Sequence, residues 1–151
     1  MSITLNKFLK KSGYSSLKLI FLETKHYLIE AKINGVNGRF ILDSGASSSC
    51  ICTSLEDKFK VTSKENKEKA SSATSQMKHT KISRSNAIQI EKWNSKTSLI
   101  TFDMSHINTA LSEKKINPID GIIGADILKN SKAILDYKSN KIFLKLFLVN
   151  Y

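Results

Sequence analysis

The sequence predicts a mostly β domain with one or two short helices, organised around a strand that ends at a carboxylate. Three observations predict this class: short segments with alternating apolar residues, Asn-Gly pairs typical of tight hairpin turns, and a strand–turn–helix pattern that occurs twice. The chain has 151 residues, of which 40% are hydrophobic and 25% charged. That is an ordinary globular composition, long enough for one domain with a substantial core.

A hairpin is predicted in the first third of the chain. The apolar run 17–22 predicts one strand, and the alternation of apolar residues from Tyr27 to Ile33 predicts the next. Residues 34–38 contain two Asn-Gly pairs, which favour a tight turn. The returning strand, 39–42, would deliver Asp43 to its end, where Gly45 permits a sharp change of direction.

The middle of the chain predicts less regular structure. Residues 54–57 fit a capping box and predict a short helix, with Leu55 and Phe59 one turn apart. Residues 60–81 are polar without a period, which predicts a mobile excursion. Strand-like alternation resumes around residues 88–90 and 100–104, and residues 111–117 are interpreted as a polar connection.

The last third of the sequence predicts several short helices, strands and turns in close succession. Residues 119–125 end in a glycine turn that leads into a short helix at 126–130, followed by a strand at 133–137 and a turn at 138–141. The final strand, 142–149, is apolar on both faces and should be covered on both. An interface is one way to cover it.

The charge distribution and the cysteines narrow the function classes. The net charge is +11, but Arg39 and Arg84 are the only arginines. Because lysine is poorly suited to bidentate phosphate or base recognition, we interpret the charge as solvated surface that could help to recruit acidic partners. Cys50 and Cys52 are too close in sequence for a comfortable disulfide. They lack neighbouring metal ligands, so they are interpreted as reduced thiols in or near the core.

No secretory signal and no segment of transmembrane length is present, so the chain is expected to be soluble and cytoplasmic, without a membrane partner. Residues 1–16 are set apart as a basic N-terminal arm. They form either a flexible arm or one amphipathic turn built on Leu5, Phe8 and Leu9. Residues 17–151 are expected to form the folded domain.

Two glycine turns resemble each other. Asp43-Ser44-Gly45-Ala46 follows an apolar strand and precedes a predicted helix, and Ile122-Ile123-Gly124-Ala125 does the same with aliphatic residues in place of the carboxylate. This repetition predicts a duplicated half-barrel.

On these residues the chain resembles the retropepsin-like aspartic proteases, especially the single-domain bacterial type. Asp43–Ala46 is similar to the family's Asp-Thr/Ser-Gly-Ala catalytic motif, and Ile122–Gly124 is similar to its hydrophobic-hydrophobic-glycine motif. Residues 120–128 and 135–137 extend the similarity, which covers about residues 26–148.

The resemblance implies an all-β, closed β-barrel (the acid protease fold) over residues 17–151, and an aspartic endopeptidase that hydrolyses peptides or proteins. It implies a homodimer with one active site, to which each chain contributes the catalytic Asp43, and no metal or organic cofactor. Ser44 would hydrogen-bond across the site, while Gly45 and Ala46 would let the backbone approach the carboxylates. The loop would be supported from beneath by Ile122, Ile123 and Gly124.

The expected flap lacks the glycines of the family pattern, and other functions are therefore considered. No glycine occurs between Gly45 and Gly121, although the family's substrate-covering flap, expected at about 67–82, is usually rich in glycine. A protease-fold binding or regulatory module without turnover is therefore the first alternative. The second is a basic nucleic-acid-associated domain, which the shortage of arginine disfavours.

Simpler roles are also considered for individual residues. Asp43 alone could cap a turn, but the second motif favours catalysis. Ser44 lacks the Gly-x-Ser-x-Gly context of a hydrolase nucleophile. Asp120 and Asp136 are expected in turns and surface strands, and Asp126 in the first turn of a helix. Trp93 and the phenylalanines are expected in the core, and Gly121 and Gly124 in turns.

Overall fold

The computed structural model describes residues 2–65 and 80–147, and within them the chain forms three α-helices and eleven β-strands. In chain order these elements are α1 (Leu5–Lys11), β1 (Tyr14–Lys18), β2 (Ile20–Phe21), β3 (Tyr27–Ile33), β4 (Val36–Leu42), β5 (Cys50–Cys52), β6 (Lys64–Glu65), β7 (Lys81–Ile90), β8 (Trp93–Phe102), α2 (Ser105–Glu113), β9 (Gly121–Ile123), α3 (Ala125–Asn130), β10 (Ile134–Asp136) and β11 (Lys141–Lys145).

Six strands close into a barrel in the order β3-β4-β9-β5-β8-β7. The closure is made by β3 and β7, which pair antiparallel with Ile33 opposite Ile88. Strands β2 and β6 extend this sheet, and β1, β11 and β10 form a separate three-stranded sheet. The predicted all-β, closed-barrel fold class is confirmed.

The β3–β4 hairpin has the turn that the sequence predicts. Ile33 pairs with Val36, so Asn34-Gly35 is the two-residue turn, and both residues have positive φ (49° and 82°) as a type I′ turn requires. The Asn34 side chain also accepts a hydrogen bond from the Ala87 amide at 2.9 Å, which ties the turn to β7. The second Asn-Gly pair, Asn37-Gly38, lies inside β4.

The apolar run of β4 is explained by two hydrophobic clusters on its two sides. Phe40 packs in the main cluster inside the barrel. Ile41 packs in a second cluster with Met104, Leu111 and Ile119, beneath α2. Because both faces of the last part of β4 are covered, residues 40–42 are continuously apolar rather than alternating, and the next residue, Asp43, falls where that cover ends.

Several predictions about single elements are wrong. The short helix predicted from the capping box at 54–57 is a 3₁₀ turn, Thr53–Leu55, rather than an α-helix. The Phe59 amide donates to the Leu55 carbonyl at 3.1 Å, so these two residues are one turn apart as predicted, whereas the Glu56 carboxylate accepts a hydrogen bond from Ser63. The connection predicted at 111–117 begins inside α2, whose Leu111 is buried. The run 17–22 is divided between β1 and β2.

The two ends of the chain also differ in detail from the prediction. Residues 5–11 form α1, with Leu9 buried, so of the two alternatives for residues 1–16 the structure contains an amphipathic helix. Strand β1 includes residues on both sides of the boundary predicted between residues 16 and 17, and it pairs with β11. That boundary between an N-terminal arm and the folded domain stays a prediction. The final strand ends at Lys145, and residues 148 and 149 lie outside the described residues.

Strand β11 is covered on both faces within one chain, because Ile142, Phe143 and Leu144 are all buried. Most of the flap expected at about 67–82, and most of the excursion predicted at 60–81, lie outside the described residues; residues 81 and 82 belong to β7. Trp93 is in the core as predicted, whereas Phe8, Phe21 and Phe147 are exposed.

Gly121 is a strand residue of β9 rather than a turn residue, and its missing side chain is a packing requirement. A Cβ atom at this position would lie 2.0 Å from the Cys50 carbonyl oxygen on the neighbouring strand. We therefore expect Gly121→Ala to lower the free energy of unfolding by about 3 kcal/mol or more, because the β5 backbone would have to move. Urea unfolding followed by circular dichroism measures this change.

The matched control is Gly35→Ala, in which the added Cβ meets nothing within 4 Å but the residue must keep a φ of 82°. That variant should lose only about 1–2 kcal/mol, the conformational cost of a left-handed residue. Equal losses in the two variants would contradict the steric argument for Gly121.

Candidate functional site

Asp43 follows the last residue of β4 and is held by backbone hydrogen bonds on both sides. Its amide donates to the Ile123 carbonyl at 2.9 Å, and its own carbonyl accepts from the Ala46 amide at 3.1 Å. The Gly45 amide donates to the Asp43 carboxylate oxygen Oδ1 at 2.9 Å. The carboxylate therefore has a defined orientation within a tight turn.

The second glycine turn lies directly beside the first. Strands β4 and β9 pair in parallel, with Leu42 opposite Ile123, and the Ala125 amide donates to the Ala46 carbonyl at 2.7 Å. A Cβ on Gly124 would approach that same carbonyl oxygen to 2.5 Å. Only glycine lets the two turns come this close.

The two turns are not equivalent, although the sequence suggests that each leads into a helix. The turn at Gly124 leads into α3. The turn at Asp43 leads through residues 47–49 to β5 and the 3₁₀ turn. The repetition is therefore confined to the strands and the turns themselves.

A buried Ser49–Asp126 contact joins the segment after Asp43 to α3. The Ser49 hydroxyl donates to Asp126 Oδ1 at 2.6 Å and accepts from the Gly124 amide at 2.8 Å. The Ser49 amide also donates to the Asp126 carboxylate at 3.0 Å. Sequence reasoning placed Asp126 correctly in the first turn of a helix but did not single out Ser49. The Ser47-Ser48-Ser49 run gave no sign of which serine is buried.

The Asp43 side chain is exposed in the single chain and has no cationic partner among the described residues, where Lys58 and Asp120 form the only ion pair, at 3.5 Å. A carboxylate pressed against an apolar strand would be costly to ionise, but exposure removes that cost here. It would arise only if another molecule covered the turn.

A cleft of about 460 Å³ opens beside Asp43 and Ser44. Its wall is formed mainly by Lys25, His26, Tyr27, Leu128, Leu135 and Tyr137. Tyr27 is flanked by Phe21 and Tyr137, each with a ring centroid 5.1 Å away. Sequence reasoning did not assign these residues to the site, because they come from the start of β3, from α3 and from the end of β10, far apart in the chain.

The other predicted site residues lie on or beneath the Asp43 turn. Ser44 and Gly45 are exposed, and Ala46 is half-buried. Ile122 packs against the cluster beneath α2, whereas Ile123 points into the barrel core. The structure thus brings these residues together around Asp43; their roles in catalysis stay predictions.

The remaining carboxylates and the two cysteines have structural environments. Asp120 accepts from the Arg39 amide at 2.8 Å. Asp136 accepts from Ser139 and from the Lys138 amide in the turn before β11, and the hydrogen bond from Ser139 is the main cause of its lowered pKa. Cys50 and Cys52 are free and buried as predicted, and burial raises the pKa of Cys50 to about 12, so its thiol is protonated at neutral pH.

Within residues 2–65 and 80–147, no three His, Cys, Asp or Glu side chains are grouped so that they could hold a metal ion. In the same residues, no helix has both the length and the apolar character that crossing a membrane requires.

Comparison with known proteins agrees with this geometry. Residues 29–127, well over half of the chain, match a family model described as aspartyl protease. No curated protein sequence matches the chain.

Solved structures share the fold. A retropepsin-like aspartic protease from Rickettsia conorii is 16% identical with a TM-score of 0.59, over 87% of this chain and 90% of that chain. The retroviral protease-like domain of Ddi1 from Leishmania major is 15% identical with a TM-score of 0.52, over 80% and 93%. The EIAV protease in complex with the inhibitor HBY-793 is 19% identical with a TM-score of 0.53, over 78% and 98%.

The Ser49–Asp126 contact should contribute measurably to stability. Ser49→Ala removes the hydroxyl that satisfies both Asp126 and the Gly124 amide, so we expect the free energy of unfolding to fall by about 2–3 kcal/mol. Ser47→Ala is the matched control, because Ser47 is exposed in the same segment and its loss should cost less than about 0.5 kcal/mol. Urea unfolding of both variants makes the comparison. Similar stabilities of the two variants would contradict the role given to Ser49.

Proposed function

The chain belongs to the aspartyl protease family, and we propose that it is a homodimeric aspartic endopeptidase in which each chain contributes one Asp43 to a shared dyad. The observation that carries this proposal is the position of Asp43. Its carboxylate is exposed, oriented by the Gly45 amide, and without a cationic partner among the described residues. In the proposed dimer, each chain would supply one of the two carboxylates.

The chemistry follows from bringing two such carboxylates together. Two carboxylates a few ångströms apart cannot both ionise easily, so they share one proton. The ionised carboxylate takes a proton from water as the water oxygen attacks the scissile carbonyl carbon, and the protonated carboxylate polarises the carbonyl oxygen. The tetrahedral intermediate then breaks its C–N bond as a proton passes to the leaving amine.

Other residues of the chain support this mechanism by position. The Gly45 amide would donate a hydrogen bond to one Asp43 carboxylate oxygen, and Ser44 would hydrogen-bond across the two-fold axis of the dimer. The Ala46 carbonyl would keep its hydrogen bond from the Ala125 amide. Ile122, Ile123 and Gly124 would carry the turn from beneath. The cleft beside Asp43 combines aromatic and leucine side chains with the polar side chains of Lys25 and His26, a mixture that suits a peptide or protein substrate. We place the enzyme in the cytoplasm, as expected from the sequence.

Replacing Asp43 tests the chemistry. We expect Asp43→Asn to lower the rate of peptide hydrolysis by about 10²- to 10⁴-fold, because an amide cannot act as a general base. Mass spectrometry of a peptide library measures the cleavage, and Asp57→Asn, at another exposed carboxylate, is the control that should retain full activity. Unchanged cleavage by Asp43→Asn would show that Asp43 is not catalytic. A wild-type chain that folds and cleaves nothing would favour a protease-fold binding module.

Mixing wild-type and Asp43→Asn chains tests the shared site. If chains exchange between dimers, adding an equal amount of the variant should reduce the activity of a fixed amount of wild type to about half, because random pairing makes mixed dimers with one Asp43. Adding Asp57→Asn chains instead should not reduce it. Activity that is indifferent to added Asp43→Asn chains, or a chain that stays monomeric at all concentrations in sedimentation, would contradict the dyad.

A further inference from the structure

Helix α1 has an apolar side that no other described part of the chain covers. The helix is attached to the domain through Leu9, its one buried residue. Ile3, Leu5 and Phe8 are 53%, 47% and 53% exposed. Large apolar side chains exposed together in this way are a feature of interaction surfaces.

The C-terminal part of the chain places a fourth exposed apolar residue near the C-terminal end of α1. The Leu146 amide donates to the Gly13 carbonyl at 2.9 Å, and the Lys145 ammonium donates to the Ser12 carbonyl just after α1. These bonds hold the next residue, Phe147, close to the end of the helix, where it is 60% exposed. We call Ile3, Leu5, Phe8 and Phe147 the α1 surface.

Around the α1 surface the sequence is positively charged. Three lysines, Lys7, Lys10 and Lys11, belong to α1, and Lys145 of β11 reaches the end of the helix at Ser12, whereas residues 1–22 contain no acidic residue. Lys7, Lys10 and Lys11 lie on or beside the exposed face of α1 itself and are exposed. An apolar face bordered by lysines is typical of helices that lie in the interface of an anionic membrane.

We propose that the α1 surface binds the protein to an anionic membrane surface, with its four apolar side chains among the acyl chains and its lysines among the phosphate and carboxylate headgroups. A second copy of the chain is disfavoured as the occupant, because two lysine-bordered surfaces would repel each other. Nucleic acid is disfavoured because it offers no partner for four exposed apolar side chains. This partner goes beyond the proposed protease activity, and it departs from the sequence-based expectation of no membrane partner.

The test is sedimentation of the full chain with vesicles. We expect binding to vesicles of phosphatidylcholine with about 30% phosphatidylserine at low salt, and much weaker binding to phosphatidylcholine alone or at high salt, because lysine–headgroup attraction is screened by ions. The double variant Leu5→Ser/Phe8→Ser should reduce the partition coefficient by about tenfold or more.

Ile20→Ser/Phe21→Ser is the matched control, because these side chains are 51% and 49% exposed but lie outside the α1 surface. It should bind as the wild type does. All the substituted side chains are exposed, so circular dichroism spectra should be unchanged. Lys10→Glu/Lys11→Glu should abolish the preference for anionic vesicles.

Three outcomes would overturn the proposal: no binding to anionic vesicles at low salt, equal loss of binding in the two serine double variants, or a change in sedimentation coefficient without vesicles in Leu5→Ser/Phe8→Ser. The third would identify a second copy as the occupant. None of these measurements depends on peptide hydrolysis.

Discussion

The parallel pairing of β4 with β9 is the constraint on which the candidate site depends. It places the Asp43 turn against the Gly124 turn, and two short backbone hydrogen bonds, from Asp43 to Ile123 and from Ala125 to Ala46, join them. The Asp43 carboxylate is thereby positioned by the segment around Ile123, which lies about eighty residues later in the sequence. Gly124 provides the space for the approach of the two turns, and Gly121 provides the space for β5 on the other side of β9. The two glycines are therefore as important to the site as the residues that face solvent.

The exposure of Asp43 is compatible with the proposed site, which two chains would complete on dimerisation. Asp43 carries its charge in water in the single chain, so folding does not bear the cost of burying it. In the proposed dimer, that cost would arise when the two Asp43 turns face each other, and one shared proton would reduce it. Folding of one chain therefore leaves the Asp43 charge in water, whereas the proposed catalysis would require that charge to be buried beside a second carboxylate.

Exposed apolar side chains are concentrated in two regions of different character. Phe21 and Tyr137 flank Tyr27, which lines the cleft beside Asp43. The α1 surface lies at the chain termini and is bordered by lysines. We propose a different partner for each region: a peptide at the cleft, and a negatively charged surface at α1.

Local patterns in the sequence predicted the fold class, the β3–β4 hairpin, the end of β4 at Asp43 and the short helix α3, because tight turns and alternating apolar residues depend on near neighbours. They also identified the two glycine turns. Helix α2 was missed because it is mostly polar, and its few apolar residues before Leu111 do not form a clear helical repeat.

Only the tertiary structure decided which residues meet around Asp43 and which remain exposed. The Ser49–Asp126 contact, the aromatic wall of the cleft and the pairing of β1 with β11 join segments that are distant in the chain, and a local pattern contains no information about such distances. Phe8 and Phe143 have the same side chain, but one is exposed on α1 and the other buried in β11. Burial depends on what packs against a residue, which the sequence around that residue does not specify.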